Sequence, residues 1–155
     1  MDEYYIIKIT LRQREFFLLW NCDCEPVFLT DANSRAVFFA GMDELNAFAE
    51  SNGIGLSEEI TEYDLDDITV TAETLDCNEV NTKWNIISDF ALTNGAEFSG
   101  EDKRYNDIYN KLFYGCNLPA MKHPHYTPEW SADEIAVINR ILAEGTELFA
   151  RFLIK

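Results

Sequence analysis

The chain has 155 residues, enough for one domain that buries about two thirds of the surface its unfolded state exposes. A hydrophobic fraction of 47% and an aromatic fraction of 14% exclude intrinsic disorder. A formal net charge of −16 and a pI near 4.3 argue against direct binding to nucleic acid or to an anionic membrane surface, since both need Lys and Arg. No apolar run approaches the roughly 18 residues of a membrane span. Met1-Asp2-Glu3-Tyr4 carries no basic segment leading into an apolar stretch, so no secretory signal is expected. The chain is therefore expected in the cytoplasm, with Cys22, Cys24, Cys77 and Cys116 as reduced thiols.

The first forty or so residues read as β structure. Tyr5, Ile7, Ile9 and Leu11 alternate with Lys8, Thr10 and Arg12, the period of two of a half-buried strand. Arg14 to Trp20 contains Phe16-Phe17-Leu18-Leu19-Trp20, apolar on both faces as in a strand covered on each side. Asn21 to Pro26 supplies turn residues, and Pro26 is disfavoured inside a ladder. Val27 to Thr30 and Ala36 to Phe39 read as a third and a fourth strand around the turn Asp31-Ala32-Asn33-Ser34. Short connections make an antiparallel meander the economical arrangement.

The period then changes. Met42 to Ser51 carries Leu45, Phe48 and Ala49 at helical spacing, with Asn52-Gly53 as its stop. Glu58 to Asp67 reads as an acidic connection anchored by Tyr63 and Leu65, and Ile68 to Thr71 as a short fifth strand. Asn78 to Thr93 places Val80, Trp84, Ile87 and Ala91 on one stripe, closed by Asn94-Gly95. Ser99-Gly100-Glu101-Asp102 predicts the start of a helix running through Ile108, Tyr109, Leu112 and Phe113 to Gly115. Cys116 to Pro128 is a loop containing Pro119, Pro124 and Pro128. Ser131-Ala132-Asp133-Glu134 predicts a capping box for the last helix, with a stripe of Ile135, Ile138, Leu142, Phe149 and Phe152. Gly145 is expected to weaken the middle of that helix by up to about 1 kcal/mol. The expected fold is α+β, a single domain over 1–155: an antiparallel meander of about four to five strands, followed by and packed against about four helices. Phe149 to Ile154 suits either the core or a dimer face, so the sequence leaves the oligomeric state open.

Little in the chain suggests catalysis. Cys22-x-Cys24 would need Cys77, Cys116, His123 and His125 to complete a zinc site, and their scattered spacing makes free thiols the better reading. His123-Pro124-His125 has no adjacent nucleophile and no glycine-rich phosphate loop, so a rigid surface loop is expected over an acid–base site. Asp64-x-Asp66-Asp67 lacks the glycine and closing glutamate of a calcium loop. The aromatic residues Phe16, Phe17, Trp20, Phe38 and Phe39 read as core, and Trp130 as a staple packing on the last helix. No enzyme, metal or cofactor is expected.

Charge is the more informative feature. Between Ala36 and Thr82 stand twelve carboxylates and not one Lys or Arg. Solubility accounts for many such surfaces. A strongly basic protein partner accounts for them more sharply, because complementary charge steers association. The expected contact residues are Glu58, Glu59, Glu62, Tyr63, Asp64, Asp66, Asp67 and Asp76, with Tyr63 as an aromatic anchor. The alternative is a DNA mimic of the anti-restriction type, which needs acids at phosphate-like intervals along one face.

Two further stretches carry a resemblance. Ile108 to Ala120 (Ile108-Tyr109-Asn110-Lys111-Leu112-Phe113-Tyr114-Gly115-Cys116-Asn117-Leu118-Pro119-Ala120) and His125-Tyr126-Thr127-Pro128-Glu129-Trp130-Ser131 resemble the C-terminal half of small bacterial immunity proteins. Such proteins are encoded beside polymorphic toxins, including those of contact-dependent growth inhibition systems. Thr82-Lys83-Trp84-Asn85 and the segment Asn139 to Phe152 share the likeness, which spans roughly residues 80 to 155 and includes no catalytic signature. The resemblance implies a cytosolic protein that binds a cognate toxin domain stoichiometrically. It transfers no individual residue as a contact. A nuclease toxin with a basic active site would match the charge of this chain.

Overall fold

The computed structural model describes residues 3–154, so Met1-Asp2, read above for a signal, lies outside the described residues. The fold is α+β: a four-stranded sheet at the N-terminal end, with four helices packed on it. The elements in chain order are β1 (Glu3–Leu11), β2 (Arg14–Trp20), β3 (Phe38–Phe39), α1 (Met42–Ser51), β4 (Gly55–Asp64), α2 (Cys77–Asn94), α3 (Asn106–Gly115) and α4 (Ala132–Leu153).

β1 and β2 form a hairpin through Arg12 and Gln13, both at positive φ (52° and 62°), the twist that a two-residue hairpin turn needs. The strands pair antiparallel from Tyr5 with Trp20 to Leu11 with Arg14. β3 extends the sheet antiparallel to β2, but the third expected strand is not regular. Phe28 and Thr30 make only isolated bridges, to Trp20 and Ala36.

The sheet is mixed, which the expected meander did not anticipate. After α1 the chain returns on the far side of the sheet, and β4 pairs parallel to β1 in the order β3-β2-β1-β4. β4 is the segment read above as an acidic connection. Its alternation was hidden because it is an edge strand whose exposed positions carry acids on both faces. Ile68 to Thr71, expected as a strand, is not one. Its backbone is held by α4, where Asn139 accepts from the Val70 N–H and donates to the Val70 carbonyl, both at 2.9 Å. A side-chain amide there supplies the two bonds that a neighbouring strand would have supplied.

The two faces of the sheet are covered unequally. Ile7, Ile9, Leu11, Phe16 and Leu18 face the main core with α2, α3 and α4. Ile6, Phe17 and Leu19 face a smaller cluster closed by Leu45 of α1. α2 ends in Gly95 at φ 67°, a left-handed cap that glycine takes without strain. α4 opens on the expected capping box, with Ser131 and Glu134 each accepting from the other's backbone N–H. The helix expected from Ser99 begins later. Ser99–Glu101 and Lys103–Tyr105 are short 3₁₀ turns, the second capped by Asp102, before α3.

α2 and α4 cross at Gly145, where an added Cβ would lie 2.3 Å from Ile87 Cδ1. The glycine thus permits the helices to approach, which outweighs the propensity it lacks. Close by, the rings of Phe90 and Phe149 stack with centroids 4.0 Å apart. Phe149 and Leu153 are buried, so much of the apolar C-terminus belongs to the core.

Candidate functional site

β4 brings five of the expected contact residues onto one strand: Glu58, Glu59, Glu62, Tyr63 and Asp64. Strand alternation then divides them. Tyr63 and Thr61 sit beside Ile9 and Ile7 and so face α2, where Glu59 joins them. Glu62 and Asp64 sit beside Lys8 and Thr10 on the opposite face. Glu58 falls in the irregular stretch opposite Tyr4 to Ile6. Lys8 pairs with Glu15 and, at 3.2 Å, with Glu62. The hydrogen bonds that the Lys8 ammonium donates to those two carboxylates, Glu15 foremost, raise its pKa above the ordinary value.

The strand also offers its backbone. The Leu65 N–H donates to the Thr10 carbonyl at 2.8 Å, so Thr10 turns its backbone groups toward β4. By alternation Thr61 and Tyr63 use theirs on β1, while Ile60, Glu62 and Asp64 present theirs to the outer edge. Among the described residues no strand pairs with that edge. Acids along an unpaired edge also repel a second copy of the same strand.

The other expected contacts have local structural partners. The Asp66 carboxylate accepts from Arg12 N (2.5 Å) and Gln13 N (2.8 Å), holding the turn of the β1–β2 hairpin. Asp76 caps α2 by accepting from Asn78 N (3.0 Å) and Glu79 N (3.2 Å). The Asp67 carbonyl accepts from Lys83, whose buried stem runs under the loop to an ion pair with Glu79 at 2.9 Å.

A cleft that the sequence reading did not single out opens between this sheet edge and α2. It has a volume of about 310 Å³ and is walled by Tyr5, Ile7 and Trp20 of the hairpin, Glu59, Thr61 and Tyr63 of β4, and Thr82, Asn85, Ile86 and Asp89 of α2. Trp20, expected in the core, is only partly buried, and its indole N–H donates to Asp89 Oδ2 at 3.2 Å. Burial pushes the Asp89 carboxyl above its ordinary value of 3.8; the Trp20 bond opposes this and the nearby Glu101 charge adds to it. Burial, then the Asp89 charge, raises the Tyr63 phenol. A second cavity of about 540 Å³ continues past Trp20, Asn85 and Asp89 to Trp84, Glu101 and Tyr109. One sequence signal marks this wall: Thr82, Asn85, Ile86 and Asp89 recur at helical spacing beside the apolar stripe of α2.

The cysteines and histidines do not gather. Cys22 and Cys24 lie in the turn after β2, where the Cys24 thiol accepts from the Tyr4 hydroxyl at 3.7 Å. Among the described residues no group of three or more His, Cys, Asp or Glu is placed to hold a metal ion. His123 is engaged locally, Nδ1 with the Pro124 carbonyl (2.6 Å), Nε2 with Met121 Sδ (3.3 Å), and its ring edge-on to Tyr114. Lys111 of α3 lies over the Trp130 ring at 4.6 Å and pairs with Glu134 at 3.0 Å, tying α3 to the start of α4. No helix among the described residues is long and apolar enough to cross a membrane.

No protein-family model and no curated protein matches the chain. Among solved structures the chain is similar to the C-terminal domain of SatS, solved in complex with bromine. The TM-score is 0.63 at 14% identity, over 96% of this chain and 91% of that one. At that identity the likeness is one of fold.

Proposed function

We propose that the protein neutralises a basic protein partner, a toxin domain encoded beside it, by forming a stoichiometric complex through the β4 edge. The observation that carries this reading is a ten-residue edge strand with acids on both faces and, among the described residues, no pairing partner on its outer side. Carboxylates flanking a free backbone edge suit a partner that supplies Lys and Arg, together with N–H and C=O groups for strand addition. The resemblance of residues 108 to 131 to immunity proteins supports the same role. A nuclease with a basic active-site cleft is the toxin class that best complements this charge.

DNA mimicry draws less support. It needs like-facing charges at close intervals, about one per 1.7 Å of duplex axis. On β4 the acids split between two faces, and successive like-facing positions stand about 7 Å apart.

Co-expression tests the proposal. The C-terminal domain of the product encoded immediately upstream should kill cells when expressed alone. This chain should restore growth and co-purify with it one to one. A harmless neighbour, or a toxic one that this chain neither binds nor neutralises, would refute the reading.

A further inference from the structure

The cleft beside β4 has a composition that the edge strand does not explain. Its walls are aromatic (Tyr5, Trp20, Tyr63), and Tyr5 is 41% exposed despite its size. Into it faces Asp89, a half-buried carboxylate whose one hydrogen bond among the described residues is to a neutral indole. No Lys or Arg among the described residues forms an ion pair with Asp89, and the charge it feels most is the like charge of Glu101. A carboxylate partly withdrawn from water without a counter-charge is destabilising in the free protein, and one that lines a cleft is a candidate for completion by a cationic ligand. Glu59 belongs both to the cleft rim and to the acidic edge, so a cation drawn to β4 arrives at the cleft mouth.

We propose that the cleft between the sheet and α2 is a receptor pocket for one guanidinium group, an arginine side chain presented by the protein partner. The proposal rests on the reading above and deepens it by naming an anchor residue type for the complex. Arginine fits better than lysine because its planar head stacks on aromatic faces while donating two bonds to one carboxylate. At about 310 Å³ the cavity is at the small end of ligand sites, suited to a side chain more than to a nucleotide or drug-sized molecule. Trp20 has a double part: its ring is a wall, and its N–H orients the Asp89 carboxylate.

The pocket is tested on the free, full-length protein with N-acetyl-L-argininamide as probe. The indole N–H resonance of Trp20 in ¹⁵N-labelled protein, assigned with Trp20→Phe, reports binding. The expected result is a saturable shift, weakened about tenfold by Asp89→Asn, which retains an acceptor for the indole. Glu59→Gln, at the exposed rim, should weaken it less. N-acetyl-L-citrullinamide, of the same shape without the charge, should give no shift. Equal shifts from both probes, or no saturable shift from the arginine probe, would overturn the pocket. The toxin-neutralisation reading fails separately: the pocket can bind argininamide while co-expression shows no rescue, and rescue can occur with an inert cleft.

Discussion

Two stretches of the acidic segment look alike in sequence and differ in use. On β4, Glu58 is exposed and Glu59 lines the cleft mouth, and among the described residues neither carboxylate accepts from a backbone N–H. In the loop that follows, Asp66 and Asp76 each accept two backbone N–H bonds, one pair fixing the hairpin turn and the other opening α2. Carboxylates that secure the fold sit where a turn or helix end leaves donors unpaired. Carboxylates that are free to meet a partner sit on a strand, whose backbone is already satisfied on one side by its neighbour. Asp89 is a third kind, half-buried and bonded to a neutral indole.

These differences separate in stability measurements. Asp66→Ala strips both acceptors from a turn whose two residues sit at positive φ, and should lower unfolding free energy by about 2 kcal/mol. Denaturant titration reads this directly, and an unchanged midpoint would remove the structural role given to Asp66. Asp76→Ala deletes the α2 cap and should cost about 1 kcal/mol, with Asp76→Ser retaining most of it.

Asp89→Asn should act in the opposite direction. The folded pKa is raised, so the unfolded chain binds fewer protons as pH climbs above the ordinary value of 3.8. Ionisation of Asp89 therefore subtracts stability progressively as pH rises through its raised folded value. The variant should melt slightly higher than the parent at pH 7, and the gap should close toward pH 4 and below. A variant that is less stable at pH 7 would mean that the Trp20 bond outweighs the burial cost. Smallest of all, replacing Glu58, Glu59 and Glu62 together by Gln should leave the melting temperature essentially unchanged. The same triple variant should associate more slowly with the toxin, most clearly at low salt. Loss of stability there would put these acids in the same class as Asp66.

The helices were legible because their signals are local. The α1 bounds, the Gly95 stop of α2 and the Ser131–Glu134 box each depend on residues within one turn of one another. The fold class and the β1–β2 hairpin followed from apolar periodicity in the same way. The direction of β4 did not, because parallel pairing joins residues about fifty apart and leaves no short-range mark. Nor did Gly145 declare its purpose, since its role depends on where Ile87 of another helix arrives.

Of the expected contact residues, the sequence determined that they are acidic and crowded, and so that the surface repels its own kind and attracts bases. Which carboxylates would be free was decided by tertiary structure, because hairpin donors at Arg12 and Gln13 lie more than fifty residues from the acid that satisfies them. The cleft is wholly a tertiary product. Tyr5, Trp20, Tyr63 and Asp89 come from four separate elements, and only the packing of α2 against the sheet brings an aromatic wall and a lone carboxylate together.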